Sequence, residues 1–322
     1  MKQGGLKDNG PAEAAPEAPA PNAGGRSPEV SVVIPHYDDL TNLRRCLSLL
    51  AAQSLERDRY EVIVADNNSR CGFEAVAAVC GDRARLVPAP IQGASEARNA
   101  GVRASRGRVL AFIDSDCRPA REWLENGLLA LEAADMAGGA VDVDLSDEAN
   151  PTAVEAFEKV FAFNFKRYIE KEKFSGSGNM FVSRRIFDHV GGFRNGVSED
   201  KDWSHRAVAL GYQWRFAPEA RVSHPARREW EELTRKWRRT TAESYHLLAE
   251  KPFGRARWLA RAWLVLLSPL VHTFVVLRSP KLKRAEQKAS AIFVLFRLRW
   301  WRFLECHRIW IADARLRRRD AG

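Results

Sequence analysis

The stretch Val109-Leu-Ala-Phe-Ile-Asp-Ser-Asp116 decides the fold of this chain of 322 residues. Its five apolar residues run without interruption, which is typical of a strand buried on both faces of a parallel sheet. Two further strand patterns precede it, at Val30–Ile34 (stopped by Pro35) and Tyr60–Ala65. Helical patterns alternate with these strands over about residues 39–53, 72–80 and 94–105. This alternation predicts an α/β protein whose right-handed βαβ sheet is covered by helices on both faces.

Each predicted strand ends in a polar cluster. The clusters are Pro35-His-Tyr-Asp38, Asp66-Asn-Asn-Ser69 and Asp114-Ser-Asp116. Because ligands bind at the carboxyl ends of the strands in such sheets, we expect these clusters to face one crevice. Two carboxylates one residue apart suit a divalent cation that carries phosphates. Asp-x-Asp also occurs at 142/144 and 200/202, so spacing alone leaves a metal site and a solvated strand end equally open at Asp114 and Asp116.

Several segments together resemble, in their order along the chain, the motifs of family 2 glycosyltransferases. They are Ser31-Val-Val-Ile-Pro35, Val64-Ala-Asp-Asn-Asn-Ser69, Ala97-Arg-Asn-Ala-Gly101, Phe112-Ile-Asp-Ser-Asp116 and Ser198-Glu-Asp-Lys-Asp202. The stretch from Gly178-Asn-Met180 to Gly191-Gly-Phe193 is similar to the acceptor-side segment of the family, and Pro218 to His224 to its closing metal-ligand strand. The resemblance covers about residues 29–225.

The resemblance implies a GT-A fold, with a mixed, mostly parallel sheet, and an inverting transfer from a nucleotide-sugar to a hydroxyl. It places five residues at the donor: Pro35, Tyr37, Asp66, Arg98 and Asp114. Tyr37 would pack against the base and Asp66 would accept a hydrogen bond from it. Asp114 would contact the ribose or the metal shell, and Arg98 would reach the base or a phosphate. His36 departs from the family, which more often has a small residue there.

The resemblance also assigns a metal and an acceptor side. Asp116 and His224 would bind Mn²⁺ or Mg²⁺, and Asp200 would be the general base that activates the acceptor hydroxyl. The predicted acceptor-side residues are Asn179, Glu199, Asp202 and Trp203. Acidic residues at 199–202 also suit the N-terminus of a helix, and Trp203 also suits a hydrophobic core.

The charge of the chain is divided unevenly. Residues 226–322 hold 23 Lys and Arg against 9 Asp and Glu, and seven of the ten tryptophans, whereas residues 1–225 hold 28 against 32. An acidic body with a basic tail is unlike the uniform basicity of nucleic-acid binders, so no nucleic-acid partner is expected. The tail instead indicates an anchor on an anionic membrane surface.

The tail leaves three arrangements open. Residues 262–277 form an uncharged run of sixteen, short of the about 20 that a spanning helix needs, and Pro269 interrupts it. Arginine and aromatic residues intermixed at helical spacing favour an interfacial helix. Helices packed on the catalytic domain, or one true spanning helix, are the alternatives.

Residues 1–28 are rich in Pro, Ala and Gly and predict a disordered extension. We therefore predict three parts: the extension, a catalytic domain over 29–225, and a helical, basic, membrane-associating segment over 226–322. The five scattered cysteines, at positions 46, 71, 80, 117 and 306, indicate reduced thiols and a cytoplasmic protein. Together with the tail, they predict a protein peripherally attached to the inner face of the plasma membrane.

The predicted function is glycosyl transfer to a glycan or lipid-linked acceptor, in cell-surface or lipid-linked glycan synthesis. Two other functions stay open from the sequence. One is a catalytically degenerate scaffold at the membrane. The other is a sugar-nucleotide pyrophosphorylase, although such an enzyme would have a Gly-rich phosphate loop after the first strand, where this chain has Pro35-His-Tyr-Asp38.

Overall fold

The structure is a computed structural model that describes residues 27–320, so nearly all of the predicted extension lies outside the described residues. The strands described are β1 (Val30–His36), β2 (Tyr60–Asp66), β3 (Arg85–Pro88), β4 (Val109–Ile113), β5 (Arg118–Pro119), β6 (Met136–Asp144), β7 (Asn179–Ser183) and β8 (Trp214–Pro225). The helices are α1 (Leu40–Ala51), α2 (Phe73–Cys80), α3 (Ala94–Ala104), α4 (Trp123–Glu132), α5 (Ala153–Phe161), α6 (Phe165–Glu172), α7 (Arg184–Val190), α8 (Glu199–Ala209), α9 (Trp230–Ala249), α10 (Gly254–Leu267), α11 (Pro269–Arg278) and α12 (Ala285–Asp320).

The strands form one mixed sheet in the order β3-β2-β1-β4-β7-β6-β8-β5. The neighbouring strands β3, β2, β1 and β4 are parallel to one another. Strand β7 runs antiparallel to both β4 and β6, and β8 is parallel to β6. The predicted α/β class and mixed, mostly parallel sheet are therefore confirmed. The direction changes between β4 and β7, so the carboxyl end of β4 lies beside the start of β7.

Strand β1 continues through Pro35 to His36, so the predicted stop at Pro35 is wrong. Pairing with β4 ends at Val33, while pairing with β2 continues to His36. The His36 carbonyl accepts a hydrogen bond from Asn67 N–H on the β2 side, so the backbone polar groups of Pro35, the residue before it, face β4. The N–H that proline lacks would therefore point to a position where β4 has already ended.

Helices cover both faces of the sheet. On one face, Ile34 and Val64 pack with Leu43 and Leu47 of α1 and with Trp123 of α4. The other face is a second buried cluster, which includes Val33, Phe112, Met180, Phe187 and Trp203. Each such buried side chain contributes about 1.5–3 kcal/mol of transfer free energy. This double cover explains why β4 is apolar at every position.

The C-terminal helices share a core with α5. Leu233 of α9 and Val294 and Leu298 of α12 are buried together with Val154 and Phe157. Nearby, the Glu158 carboxylate is 2% exposed and pairs with Arg227 at 3.0 Å and Lys236 at 3.4 Å. Burial opposes ionisation of Glu158, but Lys236 and Arg227 outweigh it and lower its pKa. The tail is thus fastened to α5 by a buried ion pair as well as by apolar packing.

Replacing Glu158 by Gln is expected to lower the free energy of unfolding by about 3 kcal/mol, because Arg227 and Lys236 would lose the carboxylate that compensates their partly buried charges. Chemical denaturation measures the change. Glu148→Gln is the matched control, since that carboxylate is 70% exposed and pairs with Lys159 at 2.8 Å, an exposed pair worth about 1 kcal/mol or less. Equal effects of the two substitutions would contradict the role of Glu158.

Within residues 27–320, each helix taken singly is too short or too polar to cross a membrane. Helices α10 and α11 meet at 45° and reach the required length and apolarity only as a pair. The break lies at Ser268–Pro269, as the proline predicts. Helices α10 to α12 also carry large exposed apolar side chains, which we call the apolar face: Trp263, Leu264, Leu267, Leu270, Val271, Phe274, Val275, Leu277, Phe293, Phe296, Trp300 and Leu304.

Candidate active site

The two carboxylates that follow β4 are partly exposed at the edge of the sheet. The turn after β4 is closed by a hydrogen bond from Cys117 N–H to Asp114 C=O at 3.0 Å. Register places Asn179 opposite Ile113, so Gly178 lies against Asp114. A Cβ on Gly178 would lie 2.8 Å from Asp114 Oδ2. Because glycine has no Cβ, Gly178 avoids a clash with the Asp114 carboxylate.

Strand β8 brings His224 to Asp116. His224 Nε2 lies 3.1 Å from Asp116 Oδ2, and Nδ1 lies 2.7 Å from the Pro225 carbonyl. Burial opposes ionisation of Asp116, but the hydrogen bond and charge of His224 prevail and lower its pKa. Asp116 Oδ1 is buried and has no hydrogen-bond partner among the described residues. A charged carboxylate with one free oxygen, next to an imidazole, fits a divalent cation.

A third potential ligand lies beside the pair. Oxygen atoms of Asp114 and Asp116 and the sulfur of Cys117 lie within 4.8 Å of one another. Burial, reinforced by the two carboxylates, raises the pKa of the Cys117 thiol well above its ordinary value. The thiol is therefore held protonated, and Mn²⁺ and Mg²⁺ prefer oxygen ligands. The carboxylates and His224 fit a hard cation better than Cys117 does.

Arg98 does not occupy the position that the sequence predicted for it. Its side chain is 5% exposed and donates to Asp114 at 2.6 Å and to Glu199 at 2.9 Å. Both terminal nitrogens are thus bonded to protein carboxylates, so the predicted direct contact with base or phosphate would require one of these ion pairs to open. Arg98 is a buried link that fixes Asp114 at the end of β4 relative to Glu199 at the start of α8.

Asp200 follows Glu199 in the first turn of α8 and is partly buried. Its Oδ1 accepts from Lys201 N–H at 2.7 Å and Ser198 Oγ at 3.3 Å. Burial, together with the neighbouring Glu199 charge, raises the pKa of Asp200 to about 7. A carboxyl group with a pKa near neutrality can take up and release a proton under ordinary conditions, as a general base must.

Residues at the ends of β1 and β2 form a separate part of the cleft. Tyr37 is 45% exposed, and the Arg70 guanidinium lies 6.0 Å from its ring centroid. Asp66 is buried and accepts from the hydroxyl and N–H of Ser69. His36 lies opposite Asp66 in the register and is 1% exposed, and neither of its ring nitrogens has a partner among the described residues. Pro35 is partly buried in β1 beside them.

Three predicted acceptor-side residues are structural instead. Asn179 is fully buried, accepts from Trp123 Nε1 at 2.9 Å and donates to the carbonyls of Ala140 and Ala220. Trp203 is fully buried too, with its ring stacked on Phe187. The acceptor-side prediction is therefore wrong for both.

Asp202 is the third of these residues. Its carboxylate is 6% exposed and pairs with Arg194 and Arg206, each at 2.9 Å. Both of its oxygens are therefore engaged within the protein, and the acceptor-side prediction fails here as well. Of the four residues predicted for that side, Glu199 alone stays partly exposed, at 19% of its side chain.

Sequence reasoning missed a cavity of about 630 Å³ beside Asp116 and His224. We call it the cationic cavity, because its five basic residues outnumber its three carboxylates. The basic residues are Arg227, Arg228, Arg235, Lys236 and Arg239, and the carboxylates are Asp116, Glu229 and Glu232. Arg228 and Arg235 have no ion-pair partner among the side chains described at residues 27–317. The basic composition of this segment was visible in the sequence, but nothing there indicated that α9 folds back over the cleft.

Glu243 is a second missed residue. It lies one turn beyond Arg239 on α9, with Arg239 Nε 3.8 Å from its carboxylate. Burial, opposed by Arg239 and reinforced by Glu199, raises the pKa of Glu243 to about 7. Lys236, Arg239 and Glu243 recur at helical spacing, so a single face of α9 is turned to the cleft.

A mixed sheet that ends β4 in two carboxylates, closed by a histidine from β8, defines a glycosyltransferase of the GT-A class. The comparisons agree with this class. Residues 31–191 match the sequence profile described as "Glycosyl transferase family 2", so the chain belongs to the family 2 glycosyltransferases. The resemblance inferred from the motifs is thereby confirmed.

Two curated relatives and one solved structure indicate the range of similar proteins. The glycosyltransferase AglE of Haloferax volcanii is 33% identical over 219 residues, which cover 66% of this chain and 71% of that protein. The pre-mycofactocin glycosyltransferase of Mycobacterium tuberculosis is 30% identical over 232 residues, so this chain spans only 46% of its length. A mannosyltransferase from Pyrobaculum calidifontis, in complex with GDP-Man and Mn²⁺, superposes with a TM-score of 0.54 at 20% identity. That likeness covers 90% of this chain and 86% of the other and concerns the fold alone.

Proposed function

We propose that this chain transfers a sugar from a nucleotide-sugar donor to a hydroxyl acceptor, with inversion at the anomeric carbon, in cell-surface or lipid-linked glycan synthesis. One observation carries the proposal. The carboxylate and imidazole pair Asp116–His224 adjoins the cationic cavity, while a separate carboxyl group with a pKa of about 7, Asp200, stands on α8. Leaving-group stabilisation and proton abstraction need two such sites.

Asp116 and His224 would hold the divalent cation, with Asp114 in or near its shell. Such a cation supplies Lewis acidity at the diphosphate and neutralises the charge of the departing nucleotide. The free Oδ1 of Asp116 is available for this role. Arg98 acts indirectly, since its two ion pairs hold Asp114 in place.

The cationic cavity would stabilise the departing diphosphate. Arg228 and Arg235 have no carboxylate partner among the described side chains, and unpaired guanidinium groups bind phosphate oxygens in bidentate fashion. Positive charge placed in advance where negative charge develops lowers the barrier without reorganisation during the reaction. We assign the α9 face of Lys236 and Arg239 to this role as well.

Asp200 would remove the proton from the acceptor hydroxyl. Glu199 lies next to it, so its negative charge helps to raise the Asp200 pKa, and Arg98 keeps Glu199 fixed. Of the predicted acceptor-side residues, Glu199 alone keeps that assignment. At the other end of the cleft, exposed Tyr37 would stack on the base, and Asp66 and Pro35 would line the base and ribose site.

The apolar face of α10 to α12 supports membrane attachment. Its aromatic and aliphatic side chains lie on a segment with a large excess of basic residues, the combination found on helices that lie in the membrane interface. We therefore propose peripheral attachment at the cytoplasmic face of the membrane, with a glycan or lipid-linked acceptor. Residues 226–322 would then serve both the cleft, through α9, and the membrane, through α10 to α12.

Nucleotide release tests the proposed reaction. Purified full chain, incubated with a panel of UDP- and GDP-sugars and Mn²⁺ or Mg²⁺, is expected to release nucleoside diphosphate from one donor and to stop when the metal is chelated. GDP-Man is the first donor to try, since the superposed mannosyltransferase holds it. Release with inverted product would support the proposal. No nucleotide release from any donor would contradict it and favour a degenerate scaffold, whereas formation of nucleoside triphosphate and sugar 1-phosphate from a donor and added pyrophosphate would indicate a pyrophosphorylase.

A further inference from the structure

Three arginines of the C-terminal helices lie together beside the apolar face. We call them the arginine cluster: Arg299 and Arg302 one turn apart on α12, and Arg261 on α10, which packs against α12 and whose charge acts on both. Helix α10 is held against α12 at this level by two contacts. Trp258 Nε1 donates to the Cys306 carbonyl at 3.0 Å, and the Trp263 ring lies 4.8 Å from the Phe303 ring between centroids.

The cluster runs from exposed Arg261 through half-buried Arg299 to buried Arg302 and has no counter-charge among the described side chains. Arg302 is 7% exposed, and the Nε atoms of both Arg302 and Arg299 are buried without hydrogen-bond partners. Among the side chains described at residues 27–317, no carboxylate pairs with any of the three arginines. Glu305, the nearest acid along α12, is engaged by Arg308 at 2.5 Å and Arg238 at 3.8 Å.

The three positive charges also disfavour one another. Burial, together with the charges of Arg299 and Arg261, lowers the pKa of Arg302 to about 9. Burial and Arg261 lower the pKa of Arg299 to about 10. The Trp237 ring, 3.9 Å from the Arg302 guanidinium, offsets part of this cost. A negatively charged ligand would relieve the remainder.

The polar groups without partners around the cluster are mostly hydrogen-bond donors. Trp237 Nε1 and Thr241 Oγ1, one turn apart on α9, are buried and have no partner among the described residues. His272 of α11 also leaves Nδ1 without a partner, and its pKa is lowered by burial and by the nearby Arg299 charge. A set with many N–H and O–H donors and no carboxylate favours an anion over a cation.

Exposed apolar side chains lie on the same two helices as the arginines, a few residues away along the chain. Trp263 and Leu264 on α10, and Phe296 and Trp300 on α12, are each about half exposed or more. A phosphate bound by the arginines would therefore have apolar surface beside it. An anionic phospholipid offers both groups in this order, since its phosphate lies at the same depth as interfacial tryptophans and its acyl chains lie deeper.

We propose that Arg261, Arg299 and Arg302 bind the headgroup phosphate of an anionic membrane phospholipid. This inference rests on the membrane attachment proposed above. It adds a defined site to a general electrostatic attraction, and the two differ in salt dependence. Diffuse attraction of exposed basic residues is screened at high salt, whereas a buried guanidinium–phosphate contact is screened much less.

Vesicle sedimentation of the full chain tests the site. In roughly 1 M salt, where the Debye length is about 3 Å, the unmodified chain is expected to prefer phosphatidylglycerol vesicles over phosphatidylcholine vesicles. The double variant R299Q/R302Q is expected to lose this preference by roughly tenfold or more, because it loses charge-assisted hydrogen bonds. The control R297Q/R315Q removes the same charge from exposed positions of α12 and is expected to keep the preference.

Each other outcome overturns a stated part of the proposal. Equal loss in both double variants would leave only diffuse attraction and remove the site. Equal binding of the unmodified chain to both vesicles would remove the site but keep membrane attachment, and no sedimentation with either would contradict both. Melting temperatures show whether a variant folds. If inorganic phosphate raised the melting temperature of the unmodified chain as much as phosphatidylglycerol vesicles do, the site would be assigned to free phosphate. Nucleotide release in detergent should stay unchanged in R299Q/R302Q, which separates this test from that of the reaction.

Discussion

Replacing Asp200 by Asn is expected to lower kcat roughly 10²–10⁴-fold and to leave the affinity for the donor nearly unchanged, because a general base acts in the transition state. Amide and carboxylate have similar size, so the first turn of α8 should persist. Steady-state turnover and donor titration on the same preparation separate the two effects. Asp188→Asn is the matched control, since it removes one exposed carboxylate from the neighbouring helix α7.

The pH dependence of the same reaction provides an independent readout. The pKa of Asp200 lies at about 7, and the base must be unprotonated to accept the acceptor proton. Turnover of the unmodified chain should therefore rise as the pH increases through 7 and level off above it, and D200N should lack this step. A variant that kept kcat and lost only affinity would show that Asp200 binds substrate or caps the helix.

The second large effect is expected at the metal. Asp116→Ala should abolish both transfer and metal-dependent binding of the nucleoside diphosphate, because it removes the carboxylate whose Oδ1 is free and whose Oδ2 meets His224. Isothermal titration with and without Mn²⁺ measures the binding. Since the side chain is at the edge of the sheet and not in its core, the melting temperature should change little.

Asp142→Ala is the control for this substitution. Asp142 belongs to another Asp-x-Asp sequence, but its side chain is 61% exposed and pairs with Arg221 at 3.1 Å. The D142A variant should bind nucleotide and metal like the unmodified chain. Metal-dependent binding that survived in D116A would refute the ligand assignment.

Much of the sheet was predictable because its signals are local. The run at 109–113 is strand β4 to the residue, and the helix expected at 94–105 spans Ala94–Ala104. The spacing of apolar residues and the length of a strand can be read from a few neighbouring residues. Once the strands are known, the parallel topology places the polar residues that follow them at one edge of the sheet. The positions of Asp114 and Asp116 at the edge of the sheet depend on nothing more distant.

Side-chain direction was harder to predict, since it depends on distant partners. Arg98 lies on the expected helix, yet Asp114 and Glu199 draw its guanidinium inwards. Trp203 lies three residues from Asp200, but its position on α8 turns the indole into the core beside Phe187. The cationic cavity was missed for a related reason, because α9 is held at the cleft by distant partners: the Glu158–Lys236 ion pair and the apolar core that it shares with α5 and α12.

The buried Glu158 has a practical consequence for where this protein can be cut. A chain ended at residue 225 would keep every motif of the family, yet it would lose Arg227 and Lys236, the two cations that hold the 2% exposed carboxylate. It would also expose Val154 and Phe157 to water. A shortened version meant to report on catalysis should therefore keep both α9, which carries Lys236, and α12, whose Val294 and Leu298 cover Val154 and Phe157. Inactivity of a shorter fragment would reflect the loss of the helices that line and support the cleft and not a defect in its catalytic residues.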